Sequence, residues 1–114
     1  MANEDLGSRH CEPCEASQSP LKGQEIEKLA RQVDDDWKVE NEHHLKREFE
    51  FDDFRQALAF TNAVGEIAEE EGHHPDFELG YGRVQLQVYT HNIDGLSEND
   101  FILAAKADKA LEDM

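Results

Sequence analysis

Ile26, Leu29, Ala30 and Val33 recur at the spacing of one helical face, and Asp34-Asp35-Asp36 is expected to end that short helix. Trp37 and Val39 then alternate with Lys38 and Glu40, as in a short strand. Residues 41–44 are polar and suit a turn. Leu45, Phe49 and Phe51 share one parity, with Lys46, Glu48 and Glu50 on the other, so these two runs read as a hairpin. Asp52 and Asp53 are placed to cap a second helix. Its apolar stripe runs through Phe54, Ala57, Leu58, Ala63, Val64, Ile67 and Ala68 to about Glu71. Gly72 suits its exit, and His74 must leave helical geometry because Pro75 follows. Phe77, Leu79 and Tyr81 alternate next, and Gly82 makes a turn. Val84, Leu86 and Val88 alternate with Arg83, Gln85 and Gln87 in a half-buried strand. After a loop over residues 92–95, Ser97 opens a last helix carrying Ala104, Ala105, Ala107, Ala110 and Leu111.

The order is α-β-β-α-β-β-α, and each strand pair is joined by a short link that makes it antiparallel. The expected class is α+β: a four-stranded antiparallel sheet with three helices packed on one face. The other face is expected to be partly polar or buried in an assembly. Residues 1–21 carry Gly7, Pro13, Pro20 and several serines with little apolar periodicity, and read as a poorly ordered arm. Residues 22–114 then form a single domain.

Composition bounds the function. The 114 residues suit one domain, and a hydrophobic content of 38% is low enough that self-association is a natural way to hide apolar surface. No apolar run approaches a membrane span. The start, Met1-Ala2-Asn3-Glu4-Asp5, lacks the basic and apolar regions of a signal peptide, which makes the cytoplasm the default compartment. Eleven basic against 27 acidic residues give a net charge of −16. Such a surface repels phosphate backbones and anionic bilayers, so neither nucleic acid nor membrane is an expected partner. The acids are spread along the chain, as in a protein adapted to high salt or in an ordinary acidic one.

The candidate chemistry lies in Gly72-His73-His74-Pro75, Thr90-His91 and Gly95-Leu96-Ser97 with Asp100. A histidine pair at a helix exit and a third imidazole one strand later suit acid–base work near neutral pH. Taken singly, each group has a plainer reading. His73 and His74 could be exposed loop residues, and His91 a polar strand end. Ser97-x-x-Asp100 has the spacing of a capping box, with Asp in place of Glu or Gln. Glu69 lies four residues before His73, on the same helical face, or belongs to a solvated acidic patch with Glu70 and Glu71. His43-His44 repeats the pair's composition without its proline and is expected to be solvent-exposed. Cys11-x-x-Cys14 after His10 is half of a zinc or redox site, but no second CxxC exists, and a dithiol in a flexible arm is the preferred reading.

Together, Glu69-x-x-Gly72-His73-His74-Pro75, Tyr81-x-x-Val84-x-Leu86-x-Val88-x-Thr90-His91 and Gly95-Leu96-Ser97-x-x-Asp100 resemble the pterin-4a-carbinolamine dehydratases. Trp37 and Arg47-x-Phe49-x-Phe51-Asp52-x-Phe54 fit the same resemblance, which covers about residues 22–111. It implies a four-stranded antiparallel sheet with helices on one face. It also implies dehydration of 4a-hydroxytetrahydropterin to quinonoid dihydropterin, in tetrahydrobiopterin recycling, without metal or organic cofactor. By resemblance His73 and His91 are the acid–base pair, His74 binds and orients the pterin, and Asp100 supports the site. Glu69 and Thr90 are the further candidates for binding or support. The resemblance also points to a homodimer or homotetramer. Two alternatives come from other classes: a non-catalytic binding or dimerisation module on the same fold, and a small metalloprotein using the three histidines and a carboxylate.

Overall fold

The computed structural model describes residues 6–13, 15 and 17–114. Three α-helices, α1 (Gln24–Ala30), α2 (Phe54–Glu71) and α3 (Glu98–Glu112), accompany four strands, β1 (Lys38–Glu40), β2 (His44–Glu50), β3 (Asp76–Gly80) and β4 (Arg83–Val88). The strands form one fully antiparallel sheet in the order β1-β2-β4-β3, so the expected α+β class and element order hold. Two short 3-10 turns, Leu6–Ser8 and His91–Ile93, were not anticipated. Among the described residues no helix is long and apolar enough to cross a membrane.

The two central strands carry the core. Leu45 and Phe49 of β2 and Val84, Leu86 and Val88 of β4 are buried, while Lys46, Gln85 and Gln87 lie half-exposed on the opposite parity. This is the alternation of a sheet covered on one face. Arg47 breaks the pattern, since it shares the buried parity. It is accommodated because its Nη1 donates to Asp108 on α3 at 2.7 Å, its guanidinium lies 4.3 Å from the Phe49 ring centre, and Asp108 also accepts from the Trp37 indole at 2.7 Å. Burial pushes the Asp108 carboxyl up, against the opposing pull of the Asp34 amide, Trp37 and Arg47. This polar knot ties β2 and the stretch before β1 to the last helix.

The helices differ from expectation in detail. α1 stops at Ala30, yet Val33 beyond it is still buried. The buried stripe of α2 is Ala57, Phe60, Val64 and Ala68, so Phe60 is a core residue the pattern reading passed over, and Phe54 and Leu58 are exposed. α3 buries Phe101, Ile102 and Leu103 in succession as well as Ala104, Ala105 and Ala107, because α1, α2, β4 and the Leu6–Ser8 turn all pack on it. The described part of residues 1–21 therefore lies against the domain: Leu6 is in the core, and the Leu21 amide donates to the Leu96 carbonyl at 2.9 Å. β3 is an edge strand. Its Phe77 and Leu79 stand opposite Leu86 and Val84 but remain exposed, as does Tyr81 just beyond.

Candidate active site

Helix α2 delivers the histidine corner. Asp53 caps its start by accepting the Gln56 amide at 2.9 Å. At its exit Gly72 takes the left-handed conformation, φ 67°, and both Gly72 and His73 donate their amides to the Ala68 carbonyl. Glycine adopts that φ without a Cβ penalty, which makes this a Schellman-type stop. Pro75 is buried and holds the chain extended beyond it. The reversal separates the two imidazoles: His73 turns inward and His74 stays at the surface.

His73 meets a buried acceptor. Its Nε2 lies 2.6 Å from Asp100 Oδ1, and Asp100 is 0% exposed. The other Asp100 oxygen accepts from the Thr90 hydroxyl and the Ser97 amide, each at 2.9 Å. The Ser97 bond is Asp100's half of a capping box at the start of α3. The carboxylate that caps α3 is thus the one that faces His73. A carboxylate acceptor at this distance favours the tautomer with the proton on Nε2, which leaves Nδ1 as the basic nitrogen.

His91 is held differently. It begins the His91–Ile93 turn, and the loop closes through the Thr90–Gly95 bridge, where Thr90 N donates to Gly95 O at 2.8 Å. Gly95 permits the close approach of Pro20, since a Cβ there would lie 2.7 Å from the proline ring. The His91 ring packs edge-on against Tyr89, with centres 4.3 Å apart, and no described residue is within hydrogen-bonding reach of its nitrogens. Tyr89 is backed in turn by His43 at 4.6 Å. His43 is thus only half-exposed. It bonds Asp94 at 2.8 Å through Nε2 and meets His44 nitrogen to nitrogen at 3.1 Å.

His73, His74, Thr90 and His91 line one cleft of about 430 Å³, with Tyr89 on the same wall. Cys11, Glu12 and Pro13, from the segment read as an arm, line the same cleft. Glu71 and Asn99 anchor that segment. Glu71 Oε1 accepts the Cys11 amide at 2.7 Å, and its Oε2 is 2.8 Å from His10 Nδ1 and 3.7 Å from Lys106 Nζ. Burial pushes the Glu71 carboxyl up, but the Cys11 amide, His10 and Lys106 outweigh it and hold it below the usual value. Asn99 clamps Glu12 from both sides, accepting its N–H at 3.0 Å and donating to its C=O at 2.6 Å. Burial pushes the Cys11 thiol up to about 12, and the Glu71 and Asp100 carboxylates add to the effect. Cys14 lies outside the described residues.

Glu69 is placed otherwise than helical spacing suggested. The helix ends before His73, so Glu69 Oε2 pairs with His74 Nε2 at 2.7 Å instead, and with Glu69 80% exposed the pair is a surface one. The sequence reading missed Glu71 and Asn99. A buried carboxylate inside an acidic run, and an asparagine within a capping box, carry no pattern that sets them apart. Among the described residues no group of three His, Cys, Asp or Glu side chains is arranged to hold a metal ion. A larger open groove of about 860 Å³ is lined by Arg9, His10, Glu12, Lys28 and Glu98 among others, and none of His73, His74 and His91 reaches it.

The family model for pterin 4 alpha carbinolamine dehydratase matches residues 19–110. A protein of Rubrobacter xylanophilus, provisionally named pterin-4-alpha-carbinolamine dehydratase, is 53% identical over 105 residues, 92% of this chain and 97% of that one. One of Alkaliphilus metalliredigens with the same provisional name is 50% identical over 92% of this chain and 95% of its own length. Among solved structures, a transcriptional coactivator/pterin dehydratase from Brucella melitensis superposes with a TM-score of 0.75 at 30% identity, covering 81% of this chain and 98% of that one. A pterin dehydratase-like protein described as a RuBisCO assembly factor in the alpha-carboxysome superposes with a TM-score of 0.57 at 26% identity, over 65% and 87% of the two chains.

Proposed function

Because the chain belongs to the pterin-4a-carbinolamine dehydratase family, we propose that it removes water from 4a-hydroxytetrahydropterin to give the quinonoid dihydropterin, by histidine acid–base catalysis. The observation that carries this reading is the convergence of His73, His74 and His91 on one cleft, with His73 locked to the buried Asp100. Dehydration breaks the C4a–O bond, and the leaving oxygen needs a proton. A ring nitrogen gives up its own proton as the new double bond forms. His91, unbonded among the described residues, supplies the proton to the oxygen, which departs as water. His73 takes the ring proton at Nδ1, and Asp100 stabilises the imidazolium that results. Solvent returns the proton from one imidazole to the other. His74 binds and orients the pterin, with Glu69 setting its ring, and Thr90 fixes Asp100.

On this reading the protein serves tetrahydrobiopterin recycling in the cytoplasm and requires neither metal nor organic cofactor. It acts as a homo-oligomer. The exposed Phe77, Leu79 and Tyr81 on and beside edge strand β3 support self-association. The charge of −16 per chain opposes it, so added salt is expected to strengthen the assembly, which sedimentation across a salt series reads.

One observation favours a second reading. A structural neighbour is described as an assembly factor, and this chain could likewise be a non-catalytic module. The two readings separate in one assay. Freshly generated 4a-hydroxytetrahydropterin loses water faster with the enzyme present, followed by absorbance at low and high salt. Folded protein that leaves the rate unchanged would favour the module.

A further inference from the structure

The segment over residues 10–13 has no part in the chemistry above, yet it is held at three points by side chains of α2 and α3. Asn99 satisfies both backbone groups of Glu12, as a neighbouring strand would. Glu71, with a side chain only 6% exposed, accepts the Cys11 amide and is balanced by Lys106, whose Nζ also donates to the Gly7 carbonyl at 3.0 Å. The Cys11 thiol points to the Asn99 carbonyl at 3.6 Å. Both anchors sit beside catalytic parts: Glu71 is two residues before His73, and Asn99 is next to Asp100. Glu12, Pro13 and Asn99 line both the histidine cleft and the larger groove. The segment is therefore lining common to the two hollows.

We propose that residues 10–13 are a fixed wall of the substrate cleft, held by Asn99 and Glu71 as positioning residues, and that this wall sets affinity for the pterin rather than the rate of its dehydration. The proposal rests on the dehydratase reading. A planar ring system gains affinity from a cleft closed on both sides, because more of its surface leaves water. A wall that touches no reacting atom contributes equally to ground state and transition state, so its loss raises KM and spares kcat.

The test uses the full chain with Asn99→Ala, Glu71→Ala and both together, each in a Cys14→Ser background. Release of the wall is read independently of activity as faster alkylation of Cys11 per thiolate, the thiol being titrated in each variant because loss of the Glu71 charge by itself lowers its pKa. The expected result is a KM raised about tenfold in the double variant with kcat within about twofold of wild type, the rise following Cys11 reactivity across the set. Three results would overturn the proposal: Cys11 freed with KM unchanged, kcat lost with KM unchanged, or Cys11 still protected in the double variant. A merely structural role would lower the melting temperature without splitting KM from kcat. Should wild-type protein show no dehydration, the dehydratase reading fails. Fluorescence titration with 7,8-dihydrobiopterin then still tests the wall, since affinity falls in the variants if it binds pterin and stays the same if it does not.

Discussion

The chain contains two adjacent histidine pairs, and each of their four imidazoles has a carboxylate partner. His73 and His74 face Asp100 and Glu69, while His43 and His44 face Asp94 and Glu40. Composition does not tell them apart; backbone and burial do. The first pair follows a left-handed Gly72 and precedes Pro75, so its two rings diverge, one inward and one outward. The second sits at a tight turn where Asn41 and Glu42 both have positive φ, and its rings turn toward each other. Asp100 is fully buried and fixed by Thr90 and Ser97, whereas Asp94 is 87% exposed. A carboxylate holds a tautomer best when water does not compete for it, and of these four imidazoles His73 alone faces a fully buried carboxylate. The second pair still reaches the cleft at one remove, because His43 backs Tyr89 and Tyr89 backs His91.

The sharpest test of this contrast is His73→Ala, expected to lower kcat by roughly 10²–10⁴-fold in steady-state dehydration. A smaller effect than that of His43→Ala would reverse the roles of the pairs. Next is Asp100→Ala, which strands the His73 ring and the Ser97 amide and leaves Thr90 only its bond to the Ser97 hydroxyl. It should lower kcat by about ten- to a hundredfold and stability by about 1–3 kcal/mol in denaturant unfolding. Stability lost with full activity would leave Asp100 a cap alone. His74→Ala should raise KM by about fivefold with little change in kcat. The weakest expected effect is His43→Ala, with kcat reduced by less than about threefold through loosening of Tyr89. A loss rivalling that of His73→Ala would make the second pair part of the chemistry.

The pH dependence of stability follows the two displaced carboxylates. Glu71 is held below its ordinary value of 4.5, so it stabilises the fold above that pH, and this contribution is lost as pH falls through its lower folded value. Asp108 is displaced upward from 3.8, so its ionisation disfavours the fold, and its protonation at acid pH works in the opposite direction. Melting curves of Glu71→Gln against wild type between pH 3 and 7 separate the two. The variant should lose the acid-side fall that belongs to Glu71, leaving a flatter profile near and below about pH 4.5.

Strict periodicity made most of the fold legible. β4 alternates without a break, α2 has a cap, a stripe and a glycine stop, and the order of elements followed from these. Phe60 falls on the same stripe as Ala57 and Val64 and was within reach of that reading. Phe101, Ile102 and Leu103 were not, because three consecutive apolar residues define no helical face and only packing from several sides explains them. In the site, the spacing of the histidines was legible because Pro75 and Gly72 constrain the backbone wherever they occur. The position of Asp100 was half-visible, since the capping spacing marked it but not its contact with His73. The wall was invisible. Residues 10–13 have no period of their own and are ordered by side chains 60 and 87 positions away.

The central claim is that an imidazole pair in one cleft expels water from C4a. Stopped-flow mixing of freshly made 4a-hydroxytetrahydropterin with wild type, His73→Ala and His91→Ala tests it most directly. Wild type is expected to speed formation of the quinonoid product well beyond the spontaneous rate, with each variant slower by roughly 10²-fold or more at saturating substrate. A wild-type trace that overlays the spontaneous reaction, or two variants that overlay wild type, would contradict the account.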